Sequence, residues 1–205
     1  MDAQGPVGRK VAAAIIAGGQ GTRLGGVAKG LLRVAGRPII DTQVALLSPL
    51  FSRVFIVTND PSPYAYLKVP CFPDHSGQGL GPLAGIETAL RTLIDETSVV
   101  CVGADMPFLH ADVLCALRDL HPEASALAPF VRGLPEPLCA RYGGGALPTI
   151  TALLAARKLK LMDALATIGV VPLPEQAWRC ADPDARFAIN INTPEALADA
   201  QSEAR

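Results

Sequence analysis

A chain of 205 residues, half of them hydrophobic and 18% charged, is composed to bury a core and not to stay disordered. Eighteen Lys plus Arg against nineteen Asp plus Glu leave a formal charge of -1. That balance excludes the one-sign field that drives binding to nucleic acid or an anionic membrane, so any anion must be held locally. The apolar runs, such as Val11 to Ala17 and Val99 to Val102, fall short of the roughly 18 residues that a spanning helix needs.

Arg9 and Lys10 ahead of the first apolar run imitate a secretory signal, but that run has the minimum length for a signal core and passes into a Gly-rich basic loop. A cytoplasmic location is expected. Cys71, Cys101, Cys115, Cys139 and Cys180 match no zinc or CxxC spacing and are expected to be reduced and mostly buried. His75, His110 and His121 are equally scattered and are expected to serve surface or local structural roles.

Val- and Ile-rich runs alternate with runs at helical spacing, the pattern of a parallel sheet covered by helices. The first strand is predicted at Val11 to Ala17. Pro38 opens a helix whose Ile40, Val44, Leu47 and Phe51 recur on one face. Strands follow at Val54 to Thr58 and Val69 to Phe72, then a helix from Pro82 with Leu83, Ile86, Leu90 and Leu93 inward. Ser98 to Gly103, apolar almost throughout, reads as a central strand buried on both faces. A helix is predicted at Ala111 to Leu120, strands at Ala124 to Pro129 and Leu138 to Tyr142, and helices at Leu147 to Arg157 and Lys160 to Ile168. Strands at Val170 to Leu173 and Phe187 to Ile191 precede a last helix capped by Thr193, with Pro194 at its first position. The expectation is one α/β domain over residues 1–205, with 1–10 flexible. Its ligand crevice lies beyond the carboxyl ends of the strands, where strand order reverses.

Four loops carry chemistry. After the first strand, Gly18 to Gly30 holds six glycines in thirteen residues together with Arg23 and Lys29. Glycines let backbone N–H groups converge on phosphate oxygens, and the two cations supply charge. A P-loop is excluded, because Lys29 is followed by Gly30 and not by Ser or Thr. A dinucleotide fingerprint is disfavoured, because Leu24 stands where the third glycine belongs. Asp105, in Gly103-Ala104-Asp105-Met106-Pro107, ends the central strand, and one such carboxylate can hold magnesium when substrate phosphates complete the shell. Asp74 opens a second Gly-rich loop running to Gly85, with an acceptor for a base or sugar. Asn190 and Asn192, alternate residues on an extended segment, point the same way.

Taken together, IIAGGQGTRLGGVAKGLL, DHSGQGLGPLAGI, GADMPFL and NINTPEAL, in this order, resemble the molybdenum cofactor guanylyltransferases, or molybdopterin-guanine dinucleotide synthases, from Val11 to Ala198. The resemblance implies a Rossmann-like nucleotidyltransferase domain, a mostly parallel sheet with helices on both faces. It further implies transfer of GMP from GTP, with Mg2+, to the phosphate of the molybdenum-molybdopterin cofactor, releasing pyrophosphate. It places GTP on Ile16, Ala17, Gly18, Lys29, Asn59, Asp74 and Asp105. Asp105 is also implied as the metal ligand, Arg23, Lys29 and Asp105 as the catalytic set, and Asn190 and Asn192 as the molybdopterin side. Molybdenum-insertion proteins and molybdoenzyme chaperones are implied as protein partners. This chain departs from the family in Ala28, where an acid usually precedes the lysine, and in Leu24 for methionine. Two other readings stay open: nucleotidyl transfer with CTP or to a sugar phosphate, and a nucleotide-binding module without catalysis. A thermal-shift panel of nucleotides with magnesium separates them, since a ligand bound only to the folded state raises its stability.

Overall fold

The computed structural model describes residues 10–18 and 28–203. Arg23, Leu24 and the other residues of 19–27 lie outside these, as does all of the N-terminal segment expected to be flexible except Lys10.

Strand β1 (Val11–Ile16) is buried along its whole length, and its residues divide between the two faces of the sheet. Ala12, Ala14 and Ile16 enter one core, and Val11, Ala13 and Ile15 the other, as the two-residue period of a strand requires. Strands β4 (Arg53–Val57) and β6 (Ser98–Gly103) flank it in parallel, so that Ala14 pairs with Phe55 on one side and Cys101 on the other. Beyond β4 lies β5 (Cys71–Phe72). Beyond β6 lie β9 (Cys139–Gly143), β7 (Ala126–Val131) and β10 (Val171–Leu173). The path β10-β7-β9-β6-β1-β4-β5 puts β6 at its middle, as its apolar sequence predicts. β9 runs antiparallel to both of its neighbours.

Helices α2 (Pro82–Arg91), α4 (Leu147–Ala155) and α5 (Leu161–Ile168) cover one face through Leu83, Ile86, Ile150, Leu154 and Leu165. Helices α1 (Ile39–Leu47) and α3 (Ala111–Asp119) cover the other through Ile40, Leu47, Val113, Leu114 and Leu117. This is the expected α/β layering. Thr193 Oγ1 accepts from the Ala196 amide at 3.2 Å and caps α6 (Pro194–Glu203) as predicted. His110 Nδ1 accepts from the Asp112 amide at the start of α3, a local structural role. All five cysteines are free; Cys101 and Cys139 are buried as expected, whereas Cys71 and Cys115 are half-buried and Cys180 is exposed.

Three readings need correction. Phe187 to Ile191 is not a strand: Arg186–Ala188 form a 3-10 turn, and the extended residues after it pair with no strand. The Phe187 amide is taken by Asp182 Oδ2 at 2.7 Å and the Ile191 amide by the Asp105 carbonyl at 2.9 Å, so the segment is tied by single bonds. The first helix stops at Leu47, and Phe51 reaches the core from the turn beyond it. Two short hairpins are additional: β2 (Arg33–Val34) with β3 (Arg37–Pro38), and β7 with β8 (Leu134–Pro135). Each turns on two residues at positive φ, Ala35-Gly36 and Arg132-Gly133, the requirement of a tight hairpin turn.

No described helix is long and apolar enough to cross a membrane. Because the chain passes from β1 outward to β4 and β5 and then returns to β6 on the other side, strand order reverses between β1 and β6. The crevice belongs beyond their carboxyl ends.

Candidate active site

A cleft of about 340 Å³ opens at that reversal, and Ile16, Ala17, Gly18, Lys29, Asp105, Asn190 and Asn192 all line it. Ile16 to Gly18 leave the end of β1, where the Ala17 amide donates to the Val57 carbonyl and extends the strand by one residue. Lys29 opens a 3-10 turn, Lys29–Leu31. Its Nζ donates to Asp105 Oδ2 at 2.8 Å and to Asn192 Oδ1 at 2.5 Å.

Asp105 is held by its backbone. The Ala104 amide donates to the Ile16 carbonyl, the Met106 amide to Gly103, and the Asp105 carbonyl accepts from Ile191. From α1, the buried Gln43 Nε2 donates to the carbonyls of Gly103 at 2.7 Å and Met106 at 3.0 Å, closing the turn from below. Gly103 leaves room for the carboxylate, since a Cβ there would stand 2.8 Å from Asp105 Oδ1 and push it aside. Ile191 is fully buried against Leu32, Val34 and Ile39, and the asparagines on either side of it line the cleft. The alternation predicted for a strand therefore survives without one. Asn190 Nδ2 donates to the Ala188 carbonyl at 3.0 Å, whereas Asn192 joins Lys29, so the two amides have different company.

Asn59 and Asp74 form a pair at the ends of β4 and β5. Asn59 Nδ2 donates to Asp74 Oδ2 at 2.7 Å, and the Asp74 amide donates to Asn59 Oδ1 at 3.0 Å. Burial raises the Asp74 carboxyl above its ordinary range, against the lowering effect of the Asn59 bond. These two residues meet each other and do not line the cleft around Asp105. Arg23 falls outside the described residues.

Sequence reasoning missed three residues. Tyr64, on a 3-10 turn (Ser62–Leu67), lines the cleft, and burial, with Asp60 adding to it, pushes its hydroxyl up to about 12, so it stays protonated at neutral pH. Gln43 supports the Asp105 turn, but a polar residue within a helix carries no sequence signal for such a contact. Glu136 lines the cleft beside Asp105; burial raises its carboxyl, the Leu138 amide bond opposes this, and the Asp105 charge adds to the rise. A search of loops that follow strands passes over Glu136 because it precedes β9. That strand is antiparallel, so its start lies at the same end of the sheet as the end of β6. A carboxylate between two prolines just before an apolar strand was the available signal.

The arrangement is an oxygen-rich, cation-containing cleft for a phosphorylated ligand. Residues 13–172 match the MobA-like NTP transferase domain. The chain belongs to that family. It is 34% identical over 203 residues to the molybdenum cofactor guanylyltransferase of Rhodobacter capsulatus, covering 96% of this chain and 97% of that one. It is 32% identical over 191 residues to the molybdenum cofactor guanylyltransferase of Cereibacter sphaeroides, covering 92% and 94%. The solved structure of molybdopterin-guanine dinucleotide biosynthesis protein A from Archaeoglobus fulgidus superposes with a TM-score of 0.80 at 29% identity, over 94% of this chain and 97% of that one. As a MobA-like NTP transferase the chain is a nucleotidyltransferase, and its mixed sheet with helices on both faces is the fold of these neighbours.

Among the described residues, no group of three or more His, Cys, Asp or Glu side chains is placed to cage a metal. The donors at the cleft are nevertheless hard oxygens, Asp105 Oδ2 and Asn192 Oδ1, with one cation, the Lys29 ammonium, already between them. A site of this type suits magnesium, which is usually held by one or two carboxylates with substrate phosphates and water.

Proposed function

We propose that this chain transfers GMP from GTP to the phosphate of the molybdenum-molybdopterin cofactor and releases pyrophosphate. The observation that carries the reading is the meeting of Lys29, Asp105 and Asn192 in one cleft at the switch point, between the nucleotide loops of β1, β4 and β5 and the C-terminal segment. An oxygen of the acceptor phosphate forms a bond to the α-phosphorus of GTP as the bond from that phosphorus to the β-phosphate bridge breaks, and the electron pair leaves with pyrophosphate.

Two anions must be brought together, so the residues act by neutralising and aligning charge. Lys29 and Arg23 bind phosphate oxygens. Asp105 would hold Mg2+, which when bound screens the phosphate charge and orients the α-phosphate. Asn59 and Asp74, locked to each other, present polar edges on the guanosine side, and Asn190 with Asn192 close the acceptor side. The phosphate nucleophile is ionised at neutral pH, so no general base is needed. A cytoplasmic location, a single domain over 1–205, and hand-over to molybdenum-insertion proteins and molybdoenzyme chaperones belong to the same proposal.

The test is pyrophosphate release from GTP, CTP, ATP and UTP with Mg2+ in the presence and absence of molybdopterin. Release with GTP that depends on molybdopterin is expected. Release with CTP instead, or only with a sugar phosphate, would replace the proposal, and binding without release would make the chain a nucleotide-binding module.

A further inference from the structure

Among the described residues, none pairs with the charge of Glu136 at the cleft. Its Oε1 accepts from the Leu138 amide at 3.3 Å, and no hydrogen bond from a described residue reaches the other oxygen. Its place is fixed by the sheet: the Gly103 amide donates to the Leu138 carbonyl at 2.9 Å, which ties the segment before β9 to the end of β6, beside Asp105. Along the sheet, the residues assigned to GTP follow β1, β4 and β5, with Asp105 at the end of β6, whereas β9 lies on the far side of β6 from the first three. Glu136 therefore faces the second substrate.

Charge then selects which part of that substrate it meets. A carboxylate repels the acceptor phosphate, and against an organic ring without positive charge it gains from hydrogen-bond donors. Pro137 and Leu138 line the cleft next to it and offer an apolar surface for a flat ring. A pterin presents two adjacent donors on one edge, the 2-amino group and N3–H. We propose that Glu136 is a specificity-determining residue of the acceptor site, accepting hydrogen bonds from the 2-amino and N3–H edge of the pterin. The inference rests on the guanylyl-transfer reading, since that reading makes the acceptor a pterin.

The experiment compares wild type, Glu136→Gln and Glu136→Ala for binding of molybdopterin and, by calorimetry, of GTP with Mg2+. Charge-assisted hydrogen bonds of this kind predict about tenfold weaker molybdopterin binding for Glu136→Gln and up to about a hundredfold for Glu136→Ala, with GTP and Mg2+ affinities within about twofold of wild type. A second measurement needs no variant: a pterin should compete for the wild-type acceptor site at least about tenfold better than its 2,4-dioxo analogue, which lacks the amino group. Equal molybdopterin affinity in all three proteins, equal competition by the two ring systems, or a matching loss of Mg2+ and GTP affinity would overturn the assignment, the last by making Glu136 a metal-side residue. If wild type binds GTP but no molybdopterin, the guanylyl-transfer reading itself fails and Glu136 with it. If wild type binds both and the variants match it, only the role of Glu136 fails.

Discussion

Lys29 and Asp105 are 76 positions apart in the chain, yet their side chains meet at 2.8 Å, with 27% and 14% of each exposed. In the proposed reaction a metal would meet the carboxylate and phosphate the ammonium, so the two partners would exchange this contact for substrate. The pair links the first loop to the end of the central strand.

Removing the ammonium should therefore affect triphosphate far more than nucleoside. Lys29→Ala is expected to weaken GTP about ten- to a hundredfold, the worth of one charge-assisted bond, and to leave guanosine within about twofold. Calorimetry with both ligands checks it, and equal losses would give Lys29 another role.

The Asp105 carboxylate stands beside Gly103, 2.8 Å from where a Cβ would be. Gly103→Ala should displace that carboxylate against a backbone pinned by Gln43 and Ile191. Misplacement by about an ångström can cost about a hundredfold in rate, and overpacking about 1 to 3 kcal/mol in stability. Steady-state kinetics beside a thermal melt should show a larger loss in turnover than stability alone accounts for.

The two asparagines should separate. On the acceptor side, Asn192 also bonds Lys29, the proposed phosphate ligand, whereas among the described residues the Asn190 side chain bonds the Ala188 carbonyl alone. Asn190→Ala is expected to raise the KM for molybdopterin with GTP affinity within about twofold of wild type, and Asn192→Ala to impair both by about tenfold. Parallel behaviour of the two variants would contradict this division.

Arg141 is a structural counterpart to the cleft. Buried on β9, its guanidinium donates to the carbonyls of Leu117 and Leu120 at 2.8 Å each, and to those of Arg118 and His121, around the end of α3. A cation at a helix C-terminus complements its dipole. Arg141→Met removes a donor from the buried Leu117 carbonyl and from the part-buried carbonyls beside it, and should cost roughly 1 to 3 kcal/mol in unfolding free energy, with substrate affinities of the folded protein unchanged.

The elements legible in the sequence are those whose pattern is set by burial on both faces or on one stripe: β1, β4, β6 and α2 lie within a few residues of their predicted ends. What escaped depends on contacts between distant segments. The direction of β9 is set by its pairing with β6, and on that direction alone rests the arrival of Glu136 beside Asp105. Phe187 to Ile191 has strand-like composition, but its amides are claimed by Asp182 and Asp105 before any ladder forms. Lys29, Asp105 and Asn192, which meet in the cleft, stood out in the sequence because they sit in loops rich in glycine, proline and asparagine. Gln43 carries no such mark, since its role comes from where α1 packs.

In the proposed reaction Asp105 anchors metal-dependent guanylyl transfer. The most direct test is molybdopterin-dependent pyrophosphate release from GTP with Mg2+ by wild type and by Asp105→Asn, a nearly isosteric change that removes the charge, with a thermal melt confirming that both are folded. The account predicts release by wild type and a loss of at least about a hundredfold in the variant, as for loss of a principal electrostatic group. Release by Asp105→Asn at the wild-type rate, with the same dependence on Mg2+, would contradict it.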